Sequence, residues 1–125
     1  MYKYKIYESF DSELEKIWKN IEINNDNIFE TFDWHKSWYE NIGKLNSKIL
    51  IILIEKTVKN EKKTIIFPLI IKKYFVFRVL EWSGYPFSDL NSPIINKGII
   101  LDDIEYFIKT LKKIIKFYNI NIFVS

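Results

Sequence analysis

Tyr2–Tyr7 opens by alternating Tyr with Lys before running into Ile6 and Tyr7, the period-two pattern of a half-buried strand. From Ser12 the period lengthens. Leu14, Ile17, Trp18 and Ile21 recur at helical spacing, and Ser12 with Glu15 reads as a capping box. Asn24, Asn25, Asp26 and Asn27 close that helix. A second helix is predicted from Asp33, a favourable N-cap, with Trp34, Trp38 and Ile42 as its apolar stripe, Tyr39 at the margin and Gly43 as its stop. Residues 48–56 contain an unbroken apolar run from Ile49 to Ile54, which suits a strand buried on both faces. A polar turn at 59–62 leads to a strand over 64–72. Pro68 interrupts that strand, so a bulge or an edge position is expected there. A third strand over 75–83 completes an antiparallel meander.

Residues 84–98 form a long connection rich in Pro, Ser and Asn. The clearest helix follows. Ile104, Phe107, Ile108, Leu111, Ile114, Ile115 and Tyr118 hold its period over four turns. Asp102, Asp103 and Glu105 lie in its first turn, and Lys109, Lys112, Lys113 and Lys116 further on, an order that complements the helix dipole. Residues 121–125 look like the start of another strand. The fold class is therefore α/β (α+β), with the order β-α-α-β-β-β-α-β, a mainly antiparallel mixed sheet and flanking helices. A helix followed by an entering strand is half of a crossover unit, so the sheet is expected to be incomplete at the C-terminus.

The 125 residues suit one domain with one core. Nearly half are hydrophobic and 18% are aromatic, which supplies a large core. The chain has no Cys, and this excludes disulfides, thiolate metal sites and a cysteine nucleophile. It also lacks Ala and Gln while Ile, Asn and Lys abound, a bias that makes the net charge of +3 weak support for an anionic partner. No apolar run approaches the roughly 20 residues of a membrane-spanning helix, and the first ten residues are polar and charged. The expected location is cytoplasmic, with at most a surface attachment to a membrane. There is no P-loop, dinucleotide fingerprint, nucleophile elbow or nucleic-acid module.

Three local words occur in order. Phe29, Thr31, Trp34, Trp38, Tyr39 and Gly43 fit F-x-T/S-x-x-W-x-x-x-W-W/Y-x-x-x-G. Pro68 and Leu69 fit the end of A-P-L. Leu80, Gly84, Ser88 and Asp89 fit L-x-x-x-G-x-x-x-S-D-Y-x-D, with Leu90 where the pattern has Tyr and Ser92 where it has a second acid. In these words and in its order of elements the chain resembles the GNAT superfamily of acetyltransferases. More narrowly it resembles the CelD-type enzymes of cellulose and polysaccharide biosynthesis, relatives of the FemAB peptidyltransferases. The resemblance implies a GNAT-like half-domain over residues 1–125, the N-terminal portion of a longer transferase. It also implies acyl transfer from acetyl-CoA or another acyl-CoA to an amine or hydroxyl of a glycan or amino-sugar precursor of the cell envelope.

The residues themselves speak against cofactor binding by this segment. A diphosphate needs backbone N–H groups in a glycine-bearing loop at a helix start. Gly43, Gly84 and Gly98 form no such loop, and the acidic first turn at 102–105 would repel phosphate. Acyl-CoA is therefore not expected to bind this segment alone.

The candidate acceptor site is the loop carrying Trp82, Tyr85, Ser88, Asp89 and Asn91. Ser88 and Asp89 could hold or deprotonate an acceptor, and aromatic rings could stack on a sugar; a plain turn explains the same residues. His35, the lone histidine, is a possible general base or a packed residue. Trp34 and Trp38 could line a cleft or pack the helix on the sheet. The lysines of the last helix form a solvated face or touch an anionic surface. A second class of function is a non-catalytic binding or assembly module. It would pair its sheet edge near residues 122–124 with a partner chain, a C-terminal half-domain or a second copy.

Overall fold

The computed structural model describes residues 1–23, 27–84 and 92–124. Strand β1 spans Tyr2–Tyr7 and helix α1 Ser12–Glu22. A short 3₁₀ turn at Ile28–Glu30 leads into α2, Phe32–Asn41, and a second at Gly43–Leu45 leads into β2, Ser47–Val58. Then come β3, Glu61–Tyr74, β4, Phe77–Trp82, and β5, Ile94–Ile95. Helix α3, Leu101–Phe117, and β6, Ile122–Phe123, follow. The strands lie in the order β1-β2-β3-β4-β6, and β5 pairs with β3. Every pairing is antiparallel except β4 with β6, which is parallel. The mixed α/β class and the mostly antiparallel sheet agree with the sequence pattern.

Helices α1 and α2 cover one face of the sheet and α3 the other. Because side chains alternate along a strand, the apolar runs of β2 and β3 feed both cores. Ile49, Ile51, Leu53, Ile66 and Ile70 meet Leu14, Trp18, Phe32 and Trp38. Leu50, Ile52, Ile54, Ile65, Phe67 and Leu69 meet Leu111 and Ile114. Lys59 and Asn60 both have positive φ in the two-residue turn between β2 and β3, the sign that tight hairpins demand and that Asn tolerates.

Several local expectations are corrected. The N-cap of α1 is Asp11, whose carboxylate accepts from the Leu14 N–H, and not Ser12; Glu15 pairs with Lys19 instead of closing a capping box. The N-cap of α2 is Thr31, not Asp33. Its buried side chains are Phe32, His35 and Trp38, while Ile42 is exposed and Trp34 only half-buried. The third strand begins at Phe77 because residues 75 and 76 make the turn. The last strand is only two residues long.

Pro68 makes no bulge. Its register with Ile51 is continuous, and β3 lies inside the sheet. Along its other edge β3 pairs with β5 through Ile65 and Ile66, then with β4 from Leu69 onward. The Pro68 carbonyl accepts from the Ser83 N–H (2.8 Å) on that edge. In an extended residue N and C=O point the same way, so the missing donor faces the gap between β5 and β4, where no strand asks for it.

Candidate functional site

The end of β4 is where the candidate loop leaves the sheet. Trp82 and Ser83 point to opposite faces, as neighbours in a strand must. Trp82 is buried on the α3 face near Phe67, with ring centroids 6.4 Å apart, and its indole N–H has no partner. Ser83 enters the other core and meets His35. Gly84 then takes φ 87°, a conformation glycine adopts freely. Of the residues predicted for an acceptor site, Tyr85, Ser88, Asp89 and Asn91 lie outside the described residues.

His35 Nε2 lies 2.8 Å from the Phe29 carbonyl, which can only accept. This nitrogen therefore carries the proton, and Nδ1 accepts from the Ser83 hydroxyl at 2.9 Å. Both residues are only 2% exposed, and Trp18 and Trp34 flank the imidazole, their ring centroids 5.3 and 5.1 Å away. Burial drives the His35 pKa down to about 4, against the modest upward pull of the Phe29 carbonyl. A serine hydroxyl on a neutral imidazole is the arrangement of an activated nucleophile. Here both groups are sealed from solvent, and the pair ties α2 and the Ile28–Glu30 turn to the end of β4. His35 is thus packed into the core, with both ring nitrogens hydrogen-bonded inside it.

Trp38 is also buried and its indole N–H has no partner. Its ring lies on Gly43, where an added Cβ would come within 2.6 Å of it. Close approach, rather than an unusual φ, explains that glycine. The sheet therefore separates Trp82 from Trp34, His35 and Trp38, and these four side chains do not share one cleft.

The start of α3 behaves as its charges suggest, by a route the sequence did not reveal. Asp103 is buried, accepts from the Ile100 N–H (3.0 Å) and from the Tyr2 hydroxyl (2.6 Å), and forms an ion pair with buried Lys63. Burial pushes its carboxyl upward, but the Ile100 N–H, the Lys63 ammonium and the Tyr2 hydroxyl outweigh it and hold the pKa below the usual range. Burial and this same carboxylate raise the Tyr2 phenol. The first turn of α3 is thus occupied by the chain's own anion. Aspartate in a first helical turn was visible in sequence; Lys63, 40 residues away, was not.

Clefts lie elsewhere; among them is one of about 530 Å³ lined by Lys56, Lys59, Glu61, Lys63 and Lys97 among others. Another, of about 930 Å³, runs beside α1 and is lined by Lys16, Asn20, Glu55, Lys62, Thr64 and Asn96 among others. A third, of about 450 Å³, lies at the far end of the sheet and is lined by Tyr39, Lys44, Leu45, Lys48, Lys73 and Arg78 among others. Among the described residues no group of three or more His, Asp or Glu side chains gathers to hold a metal, and no helix is long and apolar enough to cross a membrane. No protein-family model matches the chain, and neither curated proteins nor solved structures give a match.

Proposed function

We propose that the chain is a GNAT-like acyltransferase unit that contributes the acceptor side of acyl-CoA-dependent transfer to an amine or hydroxyl of a cell-envelope glycan precursor. One observation carries this reading. Four strands, antiparallel from β1 to β4 with two helices after the first, are followed by a helix that lays β6 parallel beside β4. Apart from the two-residue β5 between β4 and α3, this order agrees with the one expected from the sequence pattern, and it supports the resemblance carried by residues 28–43, 67–69 and 80–91. Transfer of this kind needs orientation of the acceptor and a donor to the developing oxyanion more than a nucleophile, which accords with a sealed His35 and Ser83. The occupied start of α3 accords with no cofactor binding by this segment alone.

Amide and indole NMR shifts test the reading. Titration with glucosamine and a UDP-linked amino sugar is expected to move the Trp82 indole resonance, and acetyl-CoA to move nothing. Tight acetyl-CoA binding with shifts at residues 101–105 would sink the acceptor-half reading. Silence toward every amino sugar would sink the acceptor assignment.

A second reading, an assembly module, is favoured by β6. Ile122 and Val124 are each about half exposed, and no strand pairs on its outer side among the described residues. Sedimentation velocity tests it: a dimer dispersed by Ile122→Lys supports the module, and a monomer at all concentrations removes pairing with a second copy.

A further inference from the structure

The hairpin joining β3 to β4 ends in Tyr74, Phe75, Val76 and Phe77, all exposed; Phe75 is 95% and Val76 80% open to solvent. Phe75 has φ 55°, a region where a bulky side chain is an outlier and where two-residue hairpins ordinarily use glycine. The folded chain gains no burial from this residue and still holds it in a disfavoured conformation. Immediately behind the tip, Lys73 and Arg78 stand directly opposite each other across the two strands, a like-charge pairing that destabilises a hairpin. They line the groove of about 450 Å³ together with Lys44, Lys48 and Leu45, which is 80% exposed. Among the described residues no carboxylate lines that groove and none of these four cations has an ion-pair partner. The Arg78 Nε is buried and without a hydrogen-bond acceptor.

We infer that this end of the molecule docks on an anionic membrane surface. The tip at residues 74–77 enters the headgroup and acyl boundary, and Lys44, Lys48, Lys73 and Arg78 take lipid phosphates. The combination decides for a membrane over a soluble anion. A phosphate alone would account for the cationic groove but not for aromatic rings standing in water, whereas an interface satisfies both. The inference goes beyond the acyltransferase proposal and does not depend on it.

Flotation of the whole chain with vesicles of phosphatidylcholine, alone or mixed with phosphatidylglycerol, tests it. Retention is expected only on the anionic vesicles and is expected to fall with added salt. The triple variant Lys44→Gln/Lys48→Gln/Lys73→Gln is expected to lower partition by roughly two orders of magnitude, about fivefold per cation removed. Phe75→Ser/Val76→Asn is expected to lower it at least about tenfold. Circular dichroism melts establish that each variant folds, with Val76→Asn alone as the milder tip variant. Retention on neither vesicle overturns the inference, as does equal retention on both or retention indifferent to the tip variants. Calorimetric binding of inorganic phosphate by a chain that vesicles do not retain assigns the groove to a soluble anion and also overturns it.

Discussion

At the Glu61 end of β3, cations meet carboxylates. Lys62 pairs with Glu55 at 3.0 Å, Lys97 with Glu61, and Lys63 with Asp103 inside the protein. At the Tyr74 end, roughly 40 Å away along the strand, Lys44, Lys48, Lys73 and Arg78 have no such partners among the described residues, and the aromatic rings beside them are exposed. At the Tyr74 end Lys72 pairs with buried Glu81 at 3.2 Å, so one strand joins an end whose ion pairs hold the fold to an end where one such pair stands beside four cations that have none among the described residues. Clusters of charge in one small domain need not mean the same thing. Burial and pairing mark the first as structural; open cations, an aromatic at positive φ and like charges face to face fit the second to the membrane contact inferred above.

The paired end should break hardest. Asp103→Ala leaves the Lys63 ammonium buried and uncompensated, with an expected loss of about 3–5 kcal/mol in denaturant unfolding. Replacing both partners together with apolar residues should restore much of it. A small loss for the single variant would mean that Lys63 escapes to water and that this end is no more committed than the other.

His35 gives the next effect. Its folded pKa of about 4 lies below the usual 6.5, so between those values the unfolded chain binds the extra proton. The contribution is complete above pH 6.5 and is lost as the pH falls toward 4. It amounts to about 3 kcal/mol at full extent, from 1.36 kcal/mol per unit. Unfolding midpoints measured across that window should slope for the native chain and lie flatter for His35→Gln. Identical slopes would show that the imidazole is hydrated.

Gly43→Ala forces a methyl against the buried Trp38 ring, with an expected cost of about 1–3 kcal/mol in thermal unfolding. The exposed end should respond with the opposite sign. Phe75→Gly removes a side chain from positive φ and should raise stability by about 1 kcal/mol while weakening vesicle retention. A destabilised Phe75→Gly would mean that the ring packs within the protein. Lys5→Ala, which removes an exposed pair with Glu13, should leave the melting midpoint within experimental scatter.

Much of the fold could be read from pattern because burial imposes it locally. Alternation marked β1, the unbroken apolar run 49–54 marked β2 as covered on both sides, and the period of 3.6 marked α1 and α3. The misreadings have physical causes. Asp11 and Ser12, like Thr31 and Asp33, are all capping types, and only the backbone settles which one stands outside the helix. β5 is two residues long, too short for a period to show. Pro68 looked like a fault in a strand because its tolerance depends on where two other strands stop. The candidate site was less legible: Trp82 was read in the acceptor loop and His35 as a general base or a packed residue, and only the fold shows that the sheet lies between them.

From the order of its residues alone, this chain specifies where helices and strands lie and which positions are apolar enough to be covered, since those depend on neighbours within a few residues. Which groups meet was settled by long-range register. His35 and Ser83 are 48 positions apart, and Lys63 and Asp103 are 40. Folding also determined which cations found a carboxylate and left Lys44, Lys48, Lys73 and Arg78 together at the Tyr74 end with no such partner among the described residues, because charge pairing follows distance in space and distance in sequence carries no record of it.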